Sequence, residues 1–249
     1  MGDDRMKGVG MMAVLGLLLC ASAAQAAGEV QLVHVTSSQC PPVSGCYRTP
    51  YLRGIVEVQN LAYAKSVVIR YTAGNNVWTD AAANYVGPST TGKELWSFDI
   101  STPNATQFAI AYTVNGTTYW DNNGGANYKL ADYQFDALLT YPDISGATGQ
   151  RDTAKSAVVG NILVKNRSYQ KTLTVKYTDN NWATTKTATA TYVAPLPSAV
   201  EYWAFEAPVS ASAPSANIQL AFEYAHAYGT ATDNNYGRNY RVVNNIVTR

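Results

Sequence analysis

The residues best suited to chemistry in this chain are aromatic rings set among amides and small polar groups. Trp78, Trp120 and Trp182 stand close to Asn, Asp or Gly, and Trp120 lies inside Tyr119-Trp-Asp-Asn-Asn-Gly-Gly125. A neutral sugar presents C–H faces and a rim of hydroxyls. Flat rings match the faces, and Asn, Asp, Lys and Glu tips match the hydroxyls. Trp78, close to Asn76, and Trp182, after Asn180-Asn181, are expected at the surface. Trp96 and Trp203 alternate with Phe98 and Phe205 and read as buried strand residues.

Catalysis is poorly provided for. His34 and His226 are far apart, and neither has a cysteine or carboxylate at metal-ligand spacing. No nucleophile elbow, phosphate loop or Ser–His–Asp set is present. Asp80, Glu94, Asp99 and Asp121 could in principle flank a glycosidic bond, but the segments that carry them leave little chain for a catalytic cleft. The chain is expected not to be an enzyme and to use neither metal nor cofactor. Only 14% of residues are charged and the formal net charge is +1. That excludes the basic stripe that nucleic acids or anionic membranes would demand.

The elements that must position these residues are written twice. Gly54-Ile-Val-Glu-Val-Gln-Asn60 returns as Gly160-Asn-Ile-Leu-Val-Lys-Asn166. Tyr63-Ala-Lys65 returns as Tyr169-Gln-Lys171, Trp96-Ser-Phe98 as Trp203-Ala-Phe205, and Asp121-Asn-Asn123 as Asp233-Asn-Asn235. Each copy reads as short strands. Phe108, Ile110, Tyr112 and Val114 alternate with polar or small residues, as do Ile218, Leu220, Phe222 and Tyr224. Asn-Gly and Asn-Asn turns separate the strands. The pattern predicts an all-β chain of two tandem immunoglobulin-like antiparallel β-sandwiches. The first spans 27–131 and the second 132–249, opening on Ala137-Leu138-Leu139 as the counterpart of Val30-Gln31-Leu32-Val33. With almost no linker, the two are expected to hold a restricted angle. Residues 241–249 read as a short tail.

Residues 1–26 read as a secretory signal. Arg5 and Lys7 precede an apolar run, and Ala24-Gln25-Ala26 supplies a cleavage site. The run is too short to span a bilayer. The product is therefore expected to be secreted, extracellular or periplasmic, with no membrane attachment after the leader is removed. Cys40 and Cys46 would remain. In an oxidising compartment they are expected to close a short disulfide loop, the alternative being two unrelated thiols.

The string Val58-Gln-Asn60-Leu-Ala-Tyr63-Ala-Lys65, the later Trp78, and Tyr119-Trp-Asp-Asn-Asn-Gly-Gly-Ala-Asn127-Tyr128 resemble the family 21 carbohydrate-binding modules, which bind starch and glycogen. The ordered motifs span almost all of residues 30–130 and, in weaker form, 135–243. The resemblance implies two sugar sites per module. One is Trp-centred: Trp78 and Trp120 match it, with the third ring position falling on Ala109. In the second copy Trp182 remains, while the other positions are Thr232 and Ala221. The other site is centred on Tyr63 and Tyr85, and on Tyr169 and Tyr192, with the third aromatic position falling near Lys93 and Val200. The implied polar partners are Asn60, Lys65, Glu94, Asn122 and Asn127, and in the second copy Asn166, Lys171, Glu201, Asn234 and Asn239. The Asn residues serve equally as turn formers.

These features imply non-catalytic binding of starch, glycogen or maltooligosaccharides, either tethering cells or acting beside a separate amylase. The alternative is a secreted adhesion or structural sandwich that binds another polysaccharide or a protein. One or two stacked rings and a few exposed hydrogen bonds suggest a dissociation constant of roughly tens of micromolar to millimolar per site. Linkage of two modules raises avidity on a polymer by roughly 10²-fold. A phosphatase-docking role is disfavoured, because Arg241-Val-Val-Asn244 lacks the aromatic such a motif needs.

Overall fold

The computed structural model describes residues 28–38, 50–74, 77–89, 92–101, 105–130 and 135–249. The predicted leader, Cys40, Cys46 and the boundary near Ala131 lie outside them.

Among the described residues, twenty strands follow in chain order. The first nine are β1 (Val30–Ser38), β2 (Tyr51–Gln59), β3 (Lys65–Thr72), β4 (Trp78–Ala82), β5 (Asn84–Pro88), β6 (Lys93–Ser101), β7 (Gln107–Val114), β8 (Thr117–Asp121) and β9 (Tyr128–Lys129). After β10 (Phe135–Leu139) the series repeats as β11 (Ile144–Asp152), β12 (Ala157–Lys165), β13 (Lys171–Thr178), β14 (Lys186–Thr189), β15 (Thr191–Leu196) and β16 (Val200–Pro208). It closes with β17 (Gln219–His226), β18 (Gly229–Asp233), β19 (Tyr240–Val243) and β20 (Ile246–Thr248). Among the described residues every pairing is antiparallel, as hairpin-joined strands allow. Among the described residues no helix is long and apolar enough to cross a membrane.

In the first module the sheet β10-β1-β2-β6-β5 faces the sheet β4-β3-β7-β8, with β9 on β7. The alternating apolar residues meet between them: Leu32, Val56, Ile69, Phe108, Ile110 and Tyr112 are fully buried. The second module repeats this with Ile162, Val164, Leu173, Val175, Ile218 and Tyr224. Each such aliphatic side chain contributes about 1.5–3 kcal/mol on leaving water. The repeated glycine has a packing cause. A Cβ on Gly54 would collide with the Phe98 ring and one on Gly160 with the Phe205 ring, so each copy spends a glycine to seat its core aromatic.

Two expectations are corrected. Residues 135–139 do not open the second module; β10 adds to β1, from His34↔Leu139 to Ser38↔Phe135. The counterpart of β1 is β11, and both carry a bulge at the same place, between Leu32 and His34 and between Gly146 and Thr148. The apolar run of β10 serves the module junction, where Ala137 and Leu139 are buried against Leu163 and Val200 of the second module. The last residues are likewise not a loose tail. Asn244 and Asn245 take left-handed φ of 49° and 62°, the turn that joins β19 and β20 as a hairpin. Through Gln150↔Ile246, β20 also pairs with β11, so the two layers of the second module run into one ten-stranded sheet.

The modules pack directly. Tyr236 of the second module joins Val33, Ile55, Leu95 and Val86 on the outer face of the first. Thr140 Oγ1 donates to the carbonyls of Leu32 and Val33, and the Tyr141 and Tyr236 hydroxyls lie 3.2 Å apart. Arg249 Nη2 donates to Ser145 Oγ at 2.8 Å, and Ser145 Oγ lies 3.2 Å from His34 Nδ1.

Candidate functional site

Strand β6 shows how the cleft of the first module arises. Phe98 and Ile100 are buried in the core, and Trp96, on the same face, packs against that core from its edge, with Glu94 next along the strand. There Trp96 meets Tyr85 of β5 edge-on, with ring centroids 5.9 Å apart. The turn after β2 supplies Asn60 and Tyr63, and β3 supplies Lys65. Together they enclose a cleft of about 750 Å³ lined by Asn60, Tyr63, Lys65, Tyr85, Glu94 and Trp96.

The polar floor is a closed relay. Lys65 Nζ donates to Asn60 Oδ1 and, at 2.9 Å, to Glu94 Oε2; the same carboxylate accepts from Trp96 Nε1 at 3.3 Å. Lys65 and Glu94 are almost enclosed, whereas Tyr63 is 102% exposed and Tyr85 55%. The ammonium and carboxylate therefore hold the cleft's shape, and the free rings are what it offers to a ligand.

The second module rebuilds this arrangement. Lys171 Nζ donates to Asn166 Oδ1 at 2.6 Å and Glu201 Oε1 at 2.7 Å, and Trp203 Nε1 donates to Glu201 Oε2 at 3.0 Å. Tyr192 and Trp203 meet edge-on at 5.8 Å, and Tyr169 is 99% exposed. Trp96 and Trp203 were expected as core residues. Both do pack against their module cores, but they are only partly buried and their other side forms a cleft wall, each with its indole N–H on the cleft carboxylate. The signal was present in sequence: a Glu two residues before each Trp puts both on one strand face.

The Trp-centred platform lies on the outer face of β4-β3-β7-β8. Trp78, Arg70, Ala109, Trp120, Asn122 and Asn127 surround a depression of about 270 Å³. Ala109 pairs opposite Arg70, and Ala111 opposite Trp120, so small residues form a floor between the two tryptophans. Arg70 escaped the sequence reading. Its guanidinium lies 5.6 Å from the Trp120 ring centroid and grips Asp80 through both oxygens, at 2.7 and 2.8 Å. That bidentate bond holds the Asp80 carboxyl below its ordinary range. Trp78 is 39% exposed, as expected.

The loop below the platform is shaped by its own amides. Asn122 Oδ1 accepts from the Gly125 amide, and Asn123 Nδ2 donates to the Asn127 carbonyl. Asp121 ties the loop to β1 by accepting from the Leu32 amide at 2.6 Å and from the Tyr128 hydroxyl at 2.8 Å. Asn234, Asn235 and Asp233 repeat these roles with Gly237, Asn239, Gly146 and Tyr240. Turn formation is thus a sufficient cause for the Asn-Asn pair in both copies.

The second copy does not assemble the platform. Trp182 was expected exposed; it sits partly buried in a turn at φ 67°, with its indole N–H donated to Gln219 Oε1 at 3.0 Å. Lys176, in the place of Arg70, pairs with Glu223, which stands where the first module has Ala111. Ala221 and Thr232 supply no ring. Among the described residues, no group of three or more His, Cys, Asp or Glu could hold a metal ion.

Comparison with known proteins adds a family. The model of the carbohydrate/starch-binding module, family 21, matches residues 29–131 and again 145–243. Human (Homo sapiens) protein phosphatase 1 regulatory subunit 3B is 42% identical over 111 residues, which are 41% of this chain and 37% of that protein. Glucoamylase 1 of Rhizopus oryzae is 39% identical over 83 residues, 31% of this chain and 14% of the enzyme. The matched region thus spans less than two fifths of either relative. Among solved structures, the starch-binding domain of Rhizopus oryzae glucoamylase, in complex with beta-cyclodextrin and maltoheptaose, is 33% identical. It covers 42% of this chain and 93% of that one, with a TM-score of 0.34. The carbohydrate-binding module of the muscle glycogen-targeting subunit of protein phosphatase-1 is 26% identical, covering 44% of this chain and 78% of that one, with a TM-score of 0.33. With the family model matched across both repeats, the chain belongs to the carbohydrate/starch-binding modules of family 21.

Proposed function

We propose that this chain binds starch or a related α-1,4-glucan without catalysis, through two linked modules that stack aromatic rings on the sugar faces. The observation that carries the reading is the duplicated cleft: fully exposed Tyr63 and Tyr169, each beside a Tyr–Trp corner and a Lys–Glu–Asn floor. A tyrosine left wholly in water by its own fold gains nothing for stability, and its recurrence at the same place in both copies is accounted for by a ligand that covers it. Binding without hydrolysis suits the first cleft, where Glu94 is the lining carboxylate and hydrolysis of a glycosidic bond ordinarily uses two. The Trp78–Trp120 platform serves as a second contact on the first module alone.

Export through the 1–26 leader and a Cys40–Cys46 disulfide complete the proposal, with a polymeric α-glucan as the partner and a separate amylase as a neighbour on the same polymer. The test is co-sedimentation with insoluble starch. The Tyr63→Ala, Tyr169→Ala double variant is expected to stay in the supernatant; sedimentation equal to that of the unaltered chain would sink the cleft assignment.

A further inference from the structure

We infer that the 233–239 loop of the second module is a docking wedge that positions Tyr85 in the first module's cleft. The inference rests on the reading of that cleft as a glucan site. Strand β5, which carries Tyr85, is a sheet edge. It pairs with β6 through Asn84, Tyr85, Gly87 and Pro88, with Val86 bulged out between them, and the Ser89 amide donates to the Lys93 carbonyl at 3.0 Å. Tyr85 faces the cleft. Val86 joins the cluster of Val33, Ile55 and Leu95 that Tyr236 closes. Gly87 is buried at φ 154°, and a Cβ there would collide with the Arg238 guanidinium. Tyr236 and Arg238 therefore press on β5 where it leaves the module, behind the cleft wall.

Both sides of this contact depart from their internal counterparts. The 121–127 loop of the first module has Gly124 and Ala126 where the second has Tyr236 and Arg238. Gly124 takes φ 68°, and Tyr236 keeps nearly the same left-handed backbone at φ 56°, which is costly for an aromatic residue. On the receiving side, Gly87 is replaced by Ala194 in the second module, and Val193, the counterpart of Val86, is left 50% exposed. Within the loop, these two positions are the ones that differ between 121–127 and 233–239.

Strand β15 is held from another side. It carries the same bulge as β5, between Tyr192 and Ala194, and its Leu196 packs against the cluster that Ala137 and Leu139 of β10 form. Each Tyr-bearing edge strand is thus held by an element from outside its own module core: β15 by β10, and β5 by the wedge. Without it, β5 would keep its bonds to β6 and the Ser89–Glu57 contact but lose the packing behind Tyr85; ordering the remainder on binding lowers affinity.

The test uses the full chain with its second cleft silenced by Tyr169→Ala and Tyr192→Ala and its platform by Trp78→Ala and Trp120→Thr, so that the first cleft alone is read. Into it are placed Tyr236→Gly and Arg238→Ala, the residues with which the first module's own loop already folds. Maltoheptaose affinity, by calorimetry, is expected to fall about three- to tenfold, and amide hydrogen exchange at residues 84–88 to rise about tenfold or more while that of β15 stays unchanged. Tyr236→Phe keeps the packing ring and is expected to restore both. Unchanged exchange at 84–88 overturns the wedge; faster exchange with unchanged affinity overturns its positioning role. Should the silenced chain bind no maltoheptaose before the wedge is altered, the glucan reading of the first cleft falls by itself. Exchange at 84–88 then decides whether the loop holds the strand.

Discussion

The two modules agree closely at one end and diverge on one face. At the Tyr-centred cleft the same relay runs from Asn to Lys to Glu to Trp, and the Tyr–Trp corner closes to 5.9 Å in one copy and 5.8 Å in the other. On the outer sheet face the first module keeps two tryptophans over an alanine floor, while the second replaces them with a Lys176–Glu223 pair and a Trp whose N–H is already bonded. A buried relay tolerates little change, because every member satisfies another's polar group. The platform lies on an outer sheet face and outside the core cluster, so its rings can be lost while the fold persists. The internal repeat thereby separates what the sandwich needs from what a ligand needs.

The comparison is tested most severely at the relay. Lys65→Ala leaves Glu94 enclosed with its charge unpaired, and Lys171→Ala does the same to Glu201. Each is expected to cost about 3 kcal/mol in chemical denaturation, since removal of one partner of a buried pair strands the other. The two losses should match within the error of the method. A large loss in one module and none in the other would break the equivalence of the clefts.

Next in size is avidity. If both clefts engage one polymer, Tyr63→Ala or Tyr169→Ala alone should reduce binding to granular starch by about 10- to 100-fold, because either removes the intramolecular second contact. For a short maltooligosaccharide, too small to bridge the modules, the same variants should lower the number of sites and leave the remaining affinity near its original value. Loss from Tyr63→Ala alone, with Tyr169→Ala silent on both ligands, would show that only the first cleft works.

Much of this was legible in the sequence. Strand alternation, the repeat and the turn Asn residues are local signals, and they placed the layers and both Tyr positions. What escaped depends on where a strand ends relative to the core. Trp96 alternates with Phe98 as a core residue would and does pack on the core, yet it stands at the core's edge with one side open to the cleft, and only its neighbour Glu94 hinted at that. Arg70 was hidden in a strand whose partners, Asp80 and Trp120, come from elsewhere in the chain. The role of β10 was misread because an apolar strand looks the same whether it opens a module or seals the junction between two. Trp182 was misplaced because its burial depends on Gln219, 37 positions away.

His34 marks a further difference between the copies, since its counterpart across the shared bulge is Thr148. Enclosure at the module junction, and then the charge of Arg249, push its pKa from 6.5 down to about 3. Ser145, Asp233 and Tyr240 complete the Arg249 environment, so a proton on His34 would meet a cation already in place. The unfolded chain takes up this proton near pH 6.5 and the folded chain only near 3. Stability from this group is therefore present above about pH 6.5 and declines as the pH falls toward 3. His34 keeps partial contact with the inter-module cleft, so the realised loss is put at about 2 kcal/mol near pH 4.5. His34→Thr, which installs the second module's residue, should flatten the decline in melting temperature between about pH 7 and 4.5. A parallel decline in both proteins would remove His34 as its source.

The smallest effect is expected at the divergent face, and there the substitution can be made in both directions. Trp120→Thr gives the first module the residue that the second carries at 232. It removes one ring from the platform, worth about 1 kcal/mol, and should weaken maltoheptaose binding to the first module about fivefold. The reciprocal Thr232→Trp should gain almost nothing. A new ring at 232 would face a Lys176–Glu223 ion pair where the first module offers Arg70 and an alanine floor, and Trp182 would remain turned onto Gln219. An affinity gain equal to the loss from Trp120→Thr would mean that one side chain carries the whole difference, and that the charged pair and the captured tryptophan are no obstacle to a ligand.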